Sequence, residues 1–304
     1  MTRITRCLFA LALAALPLAA ASFAHAACPP EGRDRDSLLA LKSAGFTVAD
    51  DGARQALALE LVDCLADPDP ALRDGVAYEG LAAWLRADAL DAGTRAALYE
   101  RLLPRIDPAA RDAEGFAAPF AALVLSEVAR TDRIAAWMTP PQRAGLVDAA
   151  ARYVEGVRDY RGFDDAQGWR HGIAHGADLL MQLALNPALD KPQLDRILAA
   201  VASQVAPSAH AYTHGESERL VRPVLFVLQR GLHDQAEWSA WVARIASPAP
   251  LASWSQAFAS EAGLARRHNL RVFLFALHAM LRESEVAALR ERAPPVLAAL
   301  QAGS

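Results

Sequence analysis

"LVDCLADPDPALRDGVAYEGLAAWL", residues 61–85, decides the fold. An apolar segment stops at Asp67-Pro68, and Asp69 then offers the short acceptor side chain that an N-cap needs. Pro70 takes the first helical position, where its missing N–H costs nothing, and a second amphipathic segment follows. The stretch reads as one antiparallel helical hairpin.

From residue 34 onward, apolar residues recur at helical spacing in segments of about 12 to 18 residues, broken by Pro, Gly or Asp, with no convincing strand alternation. Ala and Leu dominate while aromatics make up 7%, a balance that favours helix over the β-branched and aromatic usage of strands. The expectation is an all-α chain of about a dozen helices. Further joints stand at "TPPQ" (139–142), "LNPALDKPQ" (185–193) and "PAPLASW" (248–254). The "DPDP" turn and the Arg-Asp after it resemble the joint of a HEAT repeat. Stacked antiparallel hairpins, forming a degenerate HEAT-like α-solenoid in a single domain over 27–304, are therefore predicted, with no Gly-, Ser- or Pro-rich linker dividing it.

The first 26 residues place this domain. Arg3 and Arg6 precede an apolar run, and Ala24 and Ala26 occupy the minus-three and minus-one positions of a cleavage site, so 1–26 reads as a signal peptide. A periplasmic or secreted protein is expected. For a lipoprotein, Cys28 would need an aliphatic residue three positions upstream, where His25 stands. No later apolar run approaches the ~20 residues of a membrane span. With a net charge of −4 and no basic cluster interleaved with aromatics, nucleic acid is not an expected partner.

Cleavage leaves Cys28 and Cys64, an even count in an oxidising compartment, and the simplest reading pairs them. The alternative keeps Cys64 as a small buried apolar residue and Cys28 free.

Two polar constellations interrupt the apolar pattern. In "GWRHGIAHGADLLMQLALNP" (168–187), read as helix, His175 lies about 40° from His171 and Asp178 about 20° to the other side. They share one stripe with Gln182, opposite Ile173, Leu180 and Ala184. The plain reading is a solvated face. Paired His and a short Asp are an odd way to build one, because they are costly to hold without partners. Gly172 and Gly176, each costing ~1 kcal/mol in a helix interior, point to close approach of a neighbouring helix or a ligand.

The second constellation is "HAYTHGESERLVRPV" (210–224). Thr213 and Glu216 have capping-box spacing, so a helix is expected to start with Thr213 as N-cap and Glu218–Arg222 as a surface pair. His214, Glu218, Arg219 and Arg222 crowd its first turns, next to a loop carrying His210. One hairpin of a solenoid takes about 40 residues, so this helix is expected beside the 169–185 helix, its polar groups on the same surface.

"DPDPALRD", "VRDYRGF…GWRHGIAHGADLL", "YTHGESERL" and "RRHNLRVFLFALHAML" together resemble the bacterial domain-of-unknown-function 2785 family over nearly all of the mature chain. The resemblance implies an all-helical fold and a shared site carried by Trp169, His171, His175 and Asp178 with His214, Glu216, Glu218 and Arg219. It implies no reaction.

Two function classes compete. One is a binding module whose groove takes a small molecule, peptide, carboxylate or sugar along these residues. The other is a hydrolase. His at i and i+4 can ligate one Zn²⁺, with Glu218 or His214 as a third ligand, Glu216 as general base and Asp178 orienting a His ring. A metal-free acid/base site of the same His and Asp is a variant of it. No nucleophile elbow, phosphate loop or dinucleotide fingerprint is present.

The remaining features carry structural readings. Trp169, Trp238, Trp241 and Trp254 suit core packing better than a stacking platform. Arg158, Asp159 and Arg161 suit surface pairing with Asp164 or Asp165 better than an anion site. His233, His268 and His278 stand alone, and Arg266 to Asn269 reads as a loop or helix start.

Overall fold

The computed structural model describes residues 28–110 and 112–302. The expected signal peptide, 1–26, lies outside the described residues. Asp34 caps α1 (Arg35–Ser43) and Asp50 caps α2 (Asp51–Cys64). The joint quoted above forms as read: the Asp69 side chain accepts from Ala71 N–H, and Pro70 opens α3 (Pro70–Leu72). The helix then widens into a π-helical segment, Arg73–Tyr78, before α4 (Glu79–Arg86). After α5 (Ala92–Leu102) come α6 (Ala117–Ile134) and α7 (Pro140–Gly156). A two-stranded antiparallel ribbon, β1 (Phe163–Asp164) with β2 (Gly168–Trp169), leads into α8 (Gly172–Ala184). Then follow α9 (Lys191–Gln204), α10 (Glu216–Gln229), α11 (Gln235–Ile245), α12 (Glu261–Glu283), α13 (Ala287–Arg290) and α14 (Ala293–Ala302).

The fold is all-α, with a minimal ribbon that period-2 patterning could not reveal. Capping boxes close the starts of α7 (Thr139 with Gln142) and α9 (Asp190 with Gln193) at two of the predicted joints. In the third, "PAPLASW" leads into a 3₁₀ turn at Trp254–Ala259. One continuous hydrophobic core runs from α1 to α14. α6 packs on α8, α8 on α10 and α10 on α12, while α7 packs on α9. Among the described residues no helix is long and apolar enough to cross a membrane.

Cys28 and Cys64 are joined by a disulfide, which ties the start of the described chain to the end of α2. Trp238 and Trp241 stack in the core, 5.4 Å between centroids, and Trp254 is half-buried with its N–H on the Ala246 carbonyl. Trp169 departs from the core-packing reading and is 36% exposed. Arg161 pairs with Asp159, not with Asp164 or Asp165, because Asp164 turns inward to accept from Ala166 and Gln167 N–H and closes the ribbon. Arg266 to Asn269 lies within α12. There Asn269 is fully buried, accepts from Tyr212 N–H at 2.8 Å and donates to the Pro207 and His210 carbonyls, pinning the segment that leads to His214.

Candidate functional site

The site is built on the ribbon and the starts of α8 and α10. Arg170 N–H donates to the Gly162 carbonyl and His171 N–H to that of Arg161, so extended pairing continues to the residue where α8 begins. His171 is the N-cap of α8 and sits in the left-handed region, φ 55° and ψ 39°. For a non-glycine residue that geometry is uncommon and costs of order 1–3 kcal/mol. The expected helix over 169–185 is thus corrected: Trp169 lies in β2 and His171 outside α8, while His175 and Asp178 lie within it. Gly176 serves helix packing, since a Cβ there would stand 2.6 Å from Val154 Cγ2 of α7.

The start of α10 also differs from expectation. Gly215, at φ 83°, is the N-cap, and Glu216 is the first helical residue. Thr213 instead contacts His214 Nδ1 at 3.2 Å, and the buried Glu216 carboxylate accepts from His214 N–H at 2.8 Å. A glycine cap wins because the turn needs a left-handed backbone, which glycine adopts without the strain a Cβ brings. Glu218 and Arg222 form no ion pair with each other among the described contacts.

α8 and α10 pack directly and bring the two constellations together. The Trp169 and His171 rings stack at 4.7 Å, and His175 and His214 lie edge-on to His171 at 5.8 and 6.5 Å. His214 rests on Gly162, where a Cβ would stand 2.3 Å from Nδ1. Arg219 of α10 donates to the Asp178 carboxylate of α8. These side chains line a cleft of about 710 Å³ that also takes in Glu218, Arg222, Phe120, and Asp74 and Tyr78 of the π-helical segment. Glu216 does not line it. A smaller cavity of about 220 Å³ borders the start of α8 at Tyr153 and Gly172.

Burial governs the electrostatics. It pulls His171 below the usual imidazole range, against the opposing charge of Glu216. It pushes His175 down to about 3, with His171 and Arg219 adding to the fall. Both rings are therefore neutral near pH 7. The backbone of His214 beside the first ring and that of Pro119 beside the second oppose the fall in part. His171 Nε2 and His175 Nδ1 are buried without a hydrogen-bond partner. Asp178 is raised by burial, which outweighs its pairing with Arg219.

The sequence did not point to Asp74, Tyr78 or Phe120. They come from segments distant in the chain; Tyr78 and Phe120 carry no motif, and Asp74 ends the "DPDPALRD" joint, which reads as a turn and not as a site. Arg73 explains how they arrive. It is fully buried, with its guanidinium 4.0 Å over Phe116 and 5.0 Å over Phe120, and it donates to the Asp67 and Gln167 carbonyls. Its Nε stands 2.7 Å from Asp74 Oδ1 without hydrogen-bond alignment, so that oxygen too has no hydrogen-bond partner. The expected metal trio of His171, His175 and Glu218 is not assembled: among the described residues no group of three or more His, Cys, Asp or Glu side chains is arranged to hold a metal ion.

Residues 102–279 match the model of a family described as "Protein of unknown function (DUF2785)". The chain belongs to this family. The DUF2785 match takes in Trp169, His171, His175, Asp178, His214, Glu216, Glu218 and Arg219. It begins after the "DPDPALRD" joint, so it covers less of the chain than the resemblance implied, and Arg73, Asp74 and Tyr78 precede it. No curated protein and no solved structure matches the chain.

Proposed function

We propose that this protein is an exported, degenerate HEAT-like α-solenoid that binds a small polar ligand in the cleft between the starts of α8 and α10. The signal-like N-terminus supports export to the periplasm or beyond. The regular succession of α6, α8, α10 and α12, with α7 and α9 packed together, supports the solenoid.

One observation carries the ligand reading. His171 and His175 line the cleft, are only 8% and 7% exposed, and each keeps a neutral ring nitrogen without a partner. Buried polar groups are normally satisfied, and each orphan costs about 1–3 kcal/mol. A ligand that hydrogen-bonds to these nitrogens removes that cost. The left-handed backbone at His171 adds to the reading, since strain of this kind concentrates at binding and catalytic positions.

The test compares wild type with His171→Asn, a substitution that tolerates the left-handed backbone, in a thermal-shift screen of small polar molecules. A ligand that raises the midpoint of wild type but not of the variant supports the reading. The metal-dependent hydrolase is the second reading, favoured by two neighbouring neutral imidazoles that each keep a nitrogen without a partner. One equivalent of zinc in the purified protein, lost in His171→Ala together with stability, would install it in place of the first. A midpoint indifferent to chelator and to added zinc is the outcome expected here.

A further inference from the structure

An exposed indole is unusual in a chain that buries most of its aromatics, and Trp169 is held in a particular way. His171 stacks on one side at 4.7 Å and 23°, and Phe163 braces it edge-on at 5.1 Å from the other strand of the ribbon. The His214 ring meets it at right angles from α10, 5.9 Å away. Three contacts from three segments fix the ring, yet it still lines the cleft. A rigid aromatic surface of this kind suits a flat, partly apolar ligand at low entropic cost.

The polar inventory narrows the ligand further. Groups of both hydrogen-bonding kinds line the cleft: the neutral His171 and His175 rings, the Glu218 carboxylate, and Asp74, whose Oδ1 is held 2.7 Å from Arg73 Nε. The donors are Arg222, the Trp169 indole N–H, the Tyr78 hydroxyl and those N–H groups of Arg219 that do not meet Asp178. A neutral ligand rich in hydroxyls meets neutral imidazoles and buries no new charge.

The facing wall comes from elsewhere in the chain. The π-helical segment Arg73–Tyr78 turns both Asp74 and Tyr78 toward the cleft, and single π turns recur at functional sites. The volume, about 710 Å³, exceeds what one sugar ring fills and lies within the usual range of ligand sites.

Resting on the cleft reading above, we infer that the ligand is a saccharide of two or three rings. One ring stacks on Trp169 with its hydroxyls on His171 and His175, and a neighbouring ring is read by Asp74 and Tyr78. Trp169 is then the platform, and the π-helical segment sets which linkage is accepted.

The probes are maltotriose, cellotriose and triacetylchitotriose, followed by saturation-transfer NMR on the full mature protein. At least one is expected to show saturable transfer from aromatic protons to one face of a sugar ring. Trp169→Ala should weaken that probe about tenfold or more, and Asp74→Asn should change the order of preference among the three while circular dichroism stays native. Should none of the trisaccharides bind while glycylglycine or putrescine does, competitively with His171→Asn as the silent control, the saccharide assignment is overturned and the cleft reading survives. Should none of the five molecules bind, both fall.

Discussion

Arg219, near the start of α10, donates to the carboxylate of Asp178, two turns into α8, and so ties together the two helices that carry the polar motifs. The pair is half-exposed on the arginine side and nearly buried on the aspartate side. Removing Arg219 leaves a carboxyl that burial already pushes upward. Arg219→Ala should therefore cost about 2 kcal/mol, between the figures for surface and buried pairs. Asp178→Asn in the same background should recover part of it. Urea unfolding of the two singles and the double measures this; strict additivity would show that the two side chains do not interact.

His175 makes stability depend on acid. Its folded pKa, about 3, lies below the ordinary imidazole value of 6.5. Between those values the unfolded chain binds the proton and the folded chain does not, so stability rises with pH. The contribution is complete above pH 6.5 and falls away as the pH drops toward 3, at up to about 1.4 kcal/mol per pH unit. His175→Leu should flatten the profile in that window relative to wild type. Equal slopes for the two proteins between pH 4 and 6 would contradict the buried, neutral ring.

Gly176 shows where helix propensity loses to packing. Alanine there would ordinarily gain ~1 kcal/mol. Its Cβ would instead stand 2.6 Å from Val154 Cγ2 and 3.1 Å from the Tyr153 ring. Gly176→Ala should destabilise by about 1–3 kcal/mol as α7 and α8 are forced apart. A midpoint equal to or above wild type would mean that the two side chains yield freely.

The Cys28–Cys64 bridge spans a sequence separation of 36 residues. Closing a loop of that length restricts the unfolded chain by roughly 3 to 4 kcal/mol. Reduction, or Cys28→Ser with Cys64→Ala, should lower unfolding stability by about that amount. The α8–α10 contacts and ligand binding should be unchanged below the new midpoint.

Much of this molecule is written locally. Asp69-Pro70, Thr139 and Asp190 mark helix starts because capping uses side chains within three residues of the cap. The pairing of the two cysteines and the meeting of the two His-rich motifs follow from short-range counting. His171 defeats such counting. Helical periodicity carries smoothly through it, whereas its left-handed backbone is imposed by ribbon pairing to Arg161. Thr213 has the right spacing for a cap and loses to the turn at Gly215. Asp74, Tyr78 and Phe120 join the site through tertiary packing, for which neighbouring residues give no signal.

Arg73 has a consequence for dissecting the chain. Its guanidinium fills the space between the Asp67 carbonyl, the Gln167 carbonyl and the faces of Phe116 and Phe120. A fragment trimmed to residues 102–279 would keep all eight motif residues but lose this cation. It would bare two phenyl rings to water and leave the Gln167 carbonyl without its donor, just ahead of Trp169. Such a fragment would keep every motif side chain on a ribbon no longer held in place. It should be stickier than the parent and slack at the indole, so the helices before residue 102 are as much a part of the cleft as the segment that bears the family signature.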